Sequence, residues 1–209
     1  MSFSEIELSE LRSEVSRRLS PARMSHTLGV EAAAERIGRR ILPDSLSELR
    51  AAALLHDISK EYNVEEQLSM MKELSFLPTA SDLACEQIHH AYTAPFIIKR
   101  DFHRFATEDI ISAVQKHTTG EPFMTLFDEI ILLSDCIEEG RKHESAAMVR
   151  TSLYSSLDEA VCDIEALDAL HLATVAAINS TLSLLIEKNR FIHEKTVATR
   201  NWLLSLINH

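Results

Sequence analysis

Glycine and proline are scarce in this chain, and their scarcity limits the folds open to it more than any other feature. Four glycines and five prolines occur in 209 residues, while apolar residues recur at intervals of three and four. This spacing places apolar side chains on one face of an α-helix, and few residues remain for the tight turns of a β-sheet. The sequence therefore predicts an all-α fold with short connections and without a convincing strand.

Polar residues that precede apolar runs predict where helices begin, because their side chains accept hydrogen bonds from free N–H groups of the first turn. The predicted N-caps are Ser20, Ser45, Asn63 and Thr107. Pro21 suits the first turn of a helix that runs to about Leu42 and ends before Pro43. Glu48 is the expected capping-box partner of Ser45, at the start of the helix that carries LRAAALLHD.

The rest of the chain has the same helical periodicity. We expect a helix over about 3–19 and one or two helices over 81–100 with a break near Pro95. The segment TLFDEIILLSDCIEE is expected to form an amphipathic helix. After it we expect helix from about 144 to 188 with a break near 156, and a last helix over 194–208. The chain contains no linker, low-complexity tract or internal repeat, so we predict a single domain over residues 1–209.

Charge and cysteine content narrow the function classes. The formal net charge is -11, with 32 acidic and 21 basic side chains, so we expect the chain to avoid nucleic acid and anionic membrane. Three widely spaced cysteines without a CxxC pair argue against a disulfide framework and against a thiolate zinc site. The start has no leader-like apolar segment. These features predict a cytoplasmic protein, whose phosphate-bearing ligands would need a local positive centre.

Several histidines and aspartates lie on helix faces that should point inward. His26 shares a face with Ala22 and Val30, and Asp135 follows Ile131 by one turn. The complete set is His26, His56, Asp57, His90, His117 and Asp135. Buried carboxylates are costly unless a counter-charge compensates them, and a metal ion supplies one.

The choice between His89 and His90 depends on their neighbours. Ala91 and Ala94 stand one and four residues after His90, and these small side chains would let its helix approach the others closely. We therefore predict His90 as the ligand, with His89 as the alternative.

Each residue of the set also has an ordinary structural explanation. Asp57 could pair with Arg50, and Lys60 could be a solvated helix end. The remaining histidines are expected to lie on the surface or to pack without ligating: His89, His103, His143, His171, His193 and His209.

The order of these residues resembles the HD-domain phosphohydrolases, whose metal ligands occur as H…HD…D. Here His26, the His56-Asp57 doublet with Lys60 in HDISK, and Asp135 fit that order. The chain is further similar to the bacterial YqeK-type HD proteins, which are symmetrical diadenosine tetraphosphate hydrolases. The blocks that carry this similarity span residues 23 to about 204: RMSHTLGV, LLHDISK, HHAYTAP, KHTTGEPFM, LLSDCIEEGR and IHEKTVATRNWLL.

The resemblance implies an HD-type helical bundle with a dinuclear metal centre in a core of about 21–140. One metal would be held by His26, His56, Asp57 and Asp135, and the second by His90 and His117, with Asp57 bridging. Imidazole and carboxylate ligands without thiolate suit iron, manganese, nickel or zinc, and the family favours iron.

The resemblance also implies the reaction, which is cleavage of diadenosine tetraphosphate to two ADP. We expect a metal-bound hydroxide to attack phosphorus, with Asp57 and Lys60 as catalytic residues. Lys60, Arg141 and, as a weaker third, Arg23 are candidates to hold the phosphates.

Other functions remain compatible with the same ligands. A nucleotidase, a cyclic nucleotide phosphodiesterase or a non-catalytic nucleotide-sensing module could all use this fold. A homodimer through exposed apolar residues of 157–188 is also left open, because sequence does not separate such a face from core.

Overall fold

The computed structural model describes residues 2–207, and within that range it consists of α-helices, short 3-10 turns and loops, without a strand. The helices are α1 (Glu5–Ser16), α2 (Pro21–Ile41), α3 (Leu46–Leu55), α4 (Val64–Glu73), α5 (Ala80–Ala84), α6 (His89–Asp101), α7 (Glu108–Lys116), α8 (Leu126–Ile137), α9 (Glu144–Glu159), α10 (Asp163–Glu187) and α11 (Glu194–Ile207). The predicted all-α class is confirmed.

Three of the four predicted helix caps are present. The Oγ of Ser20 accepts from the Arg23 N–H, Asn63 caps α4 with a complete capping box, and Thr107 caps α7. Pro21 occupies the first turn of α2 as expected.

The prediction that Ser45 caps α3 is wrong. A 3-10 turn over Pro43–Ser45 leads directly into the helix, and the Ser45 side chain makes no capping hydrogen bond. Glu48 accepts instead from the Ser47 hydroxyl at 2.7 Å, so the expected capping box does not form. The helix also ends at Leu55, so the His56-Asp57 doublet lies just beyond it.

The predicted break near Pro95 is also wrong, because α6 continues through this residue. Proline removes one N–H bond at a cost of about 3 kcal/mol, and packing of α6 on α4 and α7 offsets that cost. The chain breaks earlier, at the 3-10 turn Glu86–Ile88 that precedes His89.

The C-terminal helices follow the prediction with shifted bounds. The break expected near 156 lies between Glu159 and Asp163, where the Val161 N–H donates to a Glu165 carboxylate oxygen at 2.8 Å. Helix α11 begins at Glu194 as expected; residue 208, its predicted end, and His209 lie outside the described residues.

A single main core joins the helices that surround the His56-Asp57 doublet. Helix α2 packs on α3 and α8, and α7 packs on α3, α6 and α8. Helices α9 and α10 pack on α8, and α11 packs on α10. Buried aliphatic side chains such as Leu54, Ile97 and Ile130 fill this core. Arg50 of α3 forms ion pairs with Glu5 of α1 and Glu31 of α2 and so joins these three helices. The alternative that Arg50 pairs with Asp57 is therefore not what the structure has.

Helix α10 is long and apolar enough to cross a membrane by length and composition alone. The same test is passed by core helices, and Ala166, Leu170 and Ala177 of this helix are buried in the main core. The packing of α10 on α8, α9 and α11 therefore accounts for much of its apolar character.

Candidate metal centre

The His56-Asp57 doublet is placed by the end of helix α3. His56 is the C-cap, and tight turns follow, with Ile58 N–H donating to Leu55 O at 3.1 Å and Lys60 N–H donating to Asp57 O at 2.9 Å. Both doublet side chains are buried. The apolar run AAALL thus carries two polar side chains into the core.

Four other helices bring the remaining predicted residues to the same point. His26 lies in the second turn of α2, His90 in the first turn of α6, His117 at the C-cap of α7 and Asp135 in the last turn of α8. The structure therefore collects all six predicted side chains from five helices.

Asp57 lies at the middle of the cluster, and its two carboxylate oxygens face different imidazoles. Oδ1 is 3.1 Å from Nε2 of His90 and 3.8 Å from Nε2 of His117. Oδ2 is 3.6 Å from Nε2 of His56 and 3.9 Å from Nε2 of His26. A carboxylate placed between two pairs of imidazoles can serve two cations at once.

Asp135 faces the cluster from the His26 side, with Oδ1 3.0 Å from Nε2 of His26. Possible ligand atoms lie within 4.8 Å of one another in three overlapping groups. These groups are His26, His56 and Asp57; His56, His117 and Asp135; and Asp57, His90 and His117. Every residue of the predicted set belongs to at least one group.

Hydrogen bonds on the far side of two imidazoles orient them for ligation. Nδ1 of His56 is 2.6 Å from Ala53 O, and Nδ1 of His117 is 2.7 Å from Val114 O. A carbonyl only accepts, so each Nδ1 carries the proton and each Nε2 lone pair points into the cluster. This arrangement is typical of metal-ligating histidines.

Glu138 supports a third imidazole and was missed by the sequence reasoning. Its Oε1 is 3.2 Å from Nδ1 of His26, and its Oε2 accepts from the Gly140 N–H at 2.5 Å. The side chain is buried. Glu138 and Glu139 are neighbours shortly after Asp135 in the sequence. Apolar periodicity does not show which of these two glutamates points inward.

His90 and His89 point in different directions. His90 is buried in the cluster, with Nε2 3.0 Å from Nε2 of His117. His89 is equally buried but turns away, and its Nε2 donates to Asp82 O at 2.9 Å. The helix register thus brings His90, the residue chosen from the sequence, to the other five side chains.

Three cationic side chains surround the cluster, and they are the predicted phosphate binders. Arg23 donates to Oδ2 of Asp57 at 2.7 Å, and Arg141 donates to Oδ1 of Asp135 at 2.7 Å. Nζ of Lys60 lies 2.9 Å from Nδ1 of one member of the cluster, His90. Each cation is partly exposed, so each can contact both the cluster and a ligand in solvent.

The electrostatic environment keeps the two carboxylates charged and the imidazoles of His56 and His90 neutral. Burial alone would raise the pKa of Asp57 and of Asp135, but neighbouring histidines hold both pKa values well below the usual range. Burial lowers the pKa of His56 to about 4 and that of His90 to about 3. Ionised carboxylates and neutral imidazoles are the forms that bind a metal.

The donor set fits a divalent metal. It offers imidazole nitrogens and carboxylate oxygens, which suit iron, manganese, nickel or zinc. Cys136 is adjacent to Asp135, but burial raises the pKa of its thiol to about 12, and the thiol belongs to none of the three groups. The cluster is therefore a nitrogen and oxygen site.

The other described histidines lie elsewhere, as expected. His103 and His143 are exposed, His171 pairs with Glu129, and His193 contacts Asp82 in a separate polar cluster. Helix α7 ends before His117, and the turn that follows leads to Gly120, whose φ is 63°.

The chain is similar in sequence to proteins of a known family. Residues 23–173 match the HD domain family. Two similar proteins are symmetrical bis(5'-nucleosyl)-tetraphosphatases: one of Bacillus subtilis is 27% identical over 191 residues, covering 91% of this chain and 94% of the relative. The other, of Halalkalibacterium halodurans, is 28% identical over 190 residues, covering 91% and 93%.

A solved structure has the same fold. The crystal structure of a protein from Clostridium acetobutylicum, described as a predicted HD superfamily hydrolase involved in NAD metabolism, superimposes with a TM-score of 0.81 at 25% identity. The match covers 98% of this chain and 99% of that one. The likeness thus includes the C-terminal helices that follow the matched family region.

Proposed function

The chain belongs to the HD domain family, and on that premise we propose that it is a metal-dependent hydrolase that cleaves diadenosine tetraphosphate symmetrically to two ADP. Relatives of nearly full length carry the name of this activity. The aligned region of each relative covers 91% of this chain.

The position of Asp57 between two pairs of imidazoles is the observation that carries the proposal. Its Oδ1 faces His90 and His117, while its Oδ2 faces His26 and His56. This division supports a dinuclear centre in which Asp57 bridges. We propose that Asp135 completes the first ligand group, and that iron is the native metal, in keeping with the donor set.

When bound, such ions supply a nucleophile by lowering the pKa of water and polarise the phosphoryl oxygens. The side chains fix the positions where this chemistry occurs. Ala53 O and Val114 O hold the tautomers of His56 and His117, and Glu138 holds that of His26. Buried helix ends keep these groups in place before substrate arrives.

Lys60, Arg23 and Arg141 are proposed to bind the polyphosphate chain. Their positive charge is concentrated at one point of a chain whose formal net charge is -11, so a polyphosphate is attracted to this point and repelled elsewhere. Arg141 offers a planar fork for two phosphate oxygens, whereas Lys60 acts as a point charge. Nζ of Lys60 would donate to phosphoryl oxygens as negative charge develops on them.

A cytoplasmic location agrees with this substrate class and with the three cysteines, none of which forms a disulfide. We propose a nucleotide as the partner, without nucleic acid or membrane. A homodimer is compatible with the exposed apolar residues of α10, such as Leu172 and Ile186.

Product analysis tests the proposal. Iron-loaded protein, kept free of oxygen, is incubated separately with diadenosine tetraphosphate, a nucleoside monophosphate and a cyclic nucleotide, and the products are resolved by anion-exchange chromatography. The proposal expects rapid cleavage of the first substrate to ADP alone. Equal amounts of ATP and AMP would contradict the symmetrical cleavage, and preferred cleavage of either other substrate would indicate a nucleotidase or a phosphodiesterase. Binding of the dinucleotide without turnover would indicate a sensing module.

A further inference from the structure

A cavity of about 240 Å³ opens beside the metal centre, and we infer that it is the subsite for one nucleoside of the substrate. It is lined by Lys60, Gln67, Glu86, Gln87 and His90. The inference rests on the proposed function and adds to it the residues that recognise a ribose and a base. None of the six proposed metal ligands except His90 takes part in this lining.

The cavity is continuous with the centre through two shared residues. Nε2 of His90 lies 3.1 Å from Oδ1 of Asp57, while its ring also lines the cavity. Nζ of Lys60 lies 2.9 Å from Nδ1 of His90 and donates to Gln87 O at 3.2 Å. A phosphate held by Lys60 would therefore have its attached ribose at the mouth of the cavity.

The charge of the lining favours a polar, uncharged group over a further phosphate. Lys60 is the one cation in the lining, and it is placed at the side of the metal centre, whereas Glu86 is acidic. The Glu86 side chain is exposed and makes no hydrogen bond or ion pair with another described residue. An ionised carboxylate only accepts hydrogen bonds, so Glu86 suits the hydroxyl groups of a ribose.

Two glutamine side chains supply the groups that a base requires. Gln87 is exposed in the 3-10 turn before α6, and its amide offers both a donor and an acceptor. Glutamine pairs with the N6 and N7 edge of adenine through these two groups. Gln67 is buried, its Nε2 donates to Tyr62 O at 2.7 Å, and its Oε1 has no partner among the described residues.

The size of the cavity fits half of a dinucleotide. Its volume of about 240 Å³ lies just below the range of about 300–1,000 Å³ that is typical of ligand pockets, which suits one nucleoside and not the whole dinucleotide. A second cavity of about 240 Å³, lined by Gly29, Arg36 and Tyr154 among others, contains none of the six proposed ligands. Of these two cavities, the one beside Lys60 includes a proposed metal ligand, His90.

Binding measurements test the subsite without using turnover. Metal-loaded protein is titrated calorimetrically with ADP, 2'-deoxyADP and inorganic pyrophosphate, for the wild type, Glu86→Gln and the matched control Glu73→Gln, which removes an exposed carboxylate of α4 outside the cavity. We expect the wild type and the control to bind ADP about 10-fold more tightly than 2'-deoxyADP, because a hydrogen bond to a charged group is lost. Glu86→Gln should lose most of this preference and keep the wild-type affinity for pyrophosphate.

Two outcomes would overturn the subsite: an unchanged 2'-hydroxyl preference in Glu86→Gln, or equal affinity of the wild type for ADP and 2'-deoxyADP. A second variant, Gln87→Ala, should lower the preference for ADP over CDP, and an unchanged preference would remove the base contact. These readouts are separate from the proposed function, because a protein that fails to cleave the tetraphosphate can still discriminate ADP from 2'-deoxyADP. Conversely, symmetrical cleavage with no ribose preference would leave the function standing and remove the subsite.

Discussion

Nδ1 of His26 lies 3.2 Å from Oε1 of the buried Glu138, so a carboxylate outside the predicted ligand set holds one of the cluster imidazoles. The pKa of His26 is raised: burial lowers it, but Asp135 and Glu138 outweigh burial. A carboxylate in this position fixes the ring orientation and increases the basicity of Nε2.

Replacement of Glu138 by glutamine is expected to weaken metal binding about 10- to 100-fold, because the amide loses the negative charge that favours ligation by His26. Competition with a coloured chelator measures the affinity. Glu139→Gln is the matched control, since this neighbouring carboxylate is 80% exposed. Equal metal affinity of Glu138→Gln and the wild type would show that the His26 contact has no role in ligation.

Replacement of Lys60 by methionine tests phosphate binding separately from metal binding. We expect KM for diadenosine tetraphosphate to rise about 10-fold or more, because a hydrogen bond from a charged donor is lost, while metal content stays constant. Lys72→Met removes an exposed lysine of α4 and serves as the control. Unchanged KM and kcat in Lys60→Met would remove the proposed role.

Gly120 couples the turn after His117 to helix α11. Its φ is 63°, and an added Cβ would lie 2.5 Å from Cγ2 of Thr199. Gly120→Ala is therefore expected to lower the free energy of unfolding by about 1–3 kcal/mol, measured by urea denaturation. The double variant with Thr199→Ala should recover part of this loss, because the overlap is relieved while the backbone strain stays. Wild-type stability of Gly120→Ala would contradict the packing.

Asp82 is expected to make stability depend on pH. Burial alone would raise its pKa, but hydrogen bonds from Tyr92, Thr79 and His193 lower it from 3.8 to about 2. The stability that these bonds give is present above pH 3.8 and is lost as pH falls toward 2. Asp82→Asn should lower the free energy of unfolding by about 1–3 kcal/mol at pH 7.

The free energies of unfolding of Asp82→Asn and the wild type should become more similar as the pH falls from 4 to 2. Urea denaturation at each pH measures both values. Asp44→Asn, a change at an exposed aspartate, should show neither effect. The same difference at both ends of this pH range would mean that ionisation of Asp82 does not contribute.

Much of the fold and of the cluster could be predicted from local patterns. Apolar periodicity placed the helices, and the caps at Asn63 and Thr107 followed from hydrogen bonds made within one turn. The inward positions of His26 and His117 followed from the same periodicity. Such features depend on neighbours in sequence, so they are visible without the tertiary structure.

Features that depend on contacts between distant segments were not predictable. The support of His26 by Glu138 joins residues 112 positions apart, and the cavity beside Lys60 needs the turn that carries Glu86. The continuous helix through Pro95 is a case where tertiary packing outweighs a local breaking signal.

Metal content measured together with hydrolysis tests the central claim most directly. Protein purified without oxygen is analysed by mass spectrometry for transition metals, stripped with a chelator and reloaded with iron, while release of ADP from diadenosine tetraphosphate is followed. We predict about two ions per chain, loss of hydrolysis on stripping, recovery as the second ion binds, and no recovery in Asp57→Asn. Full hydrolysis by protein that holds fewer than one transition-metal ion per chain would contradict the account.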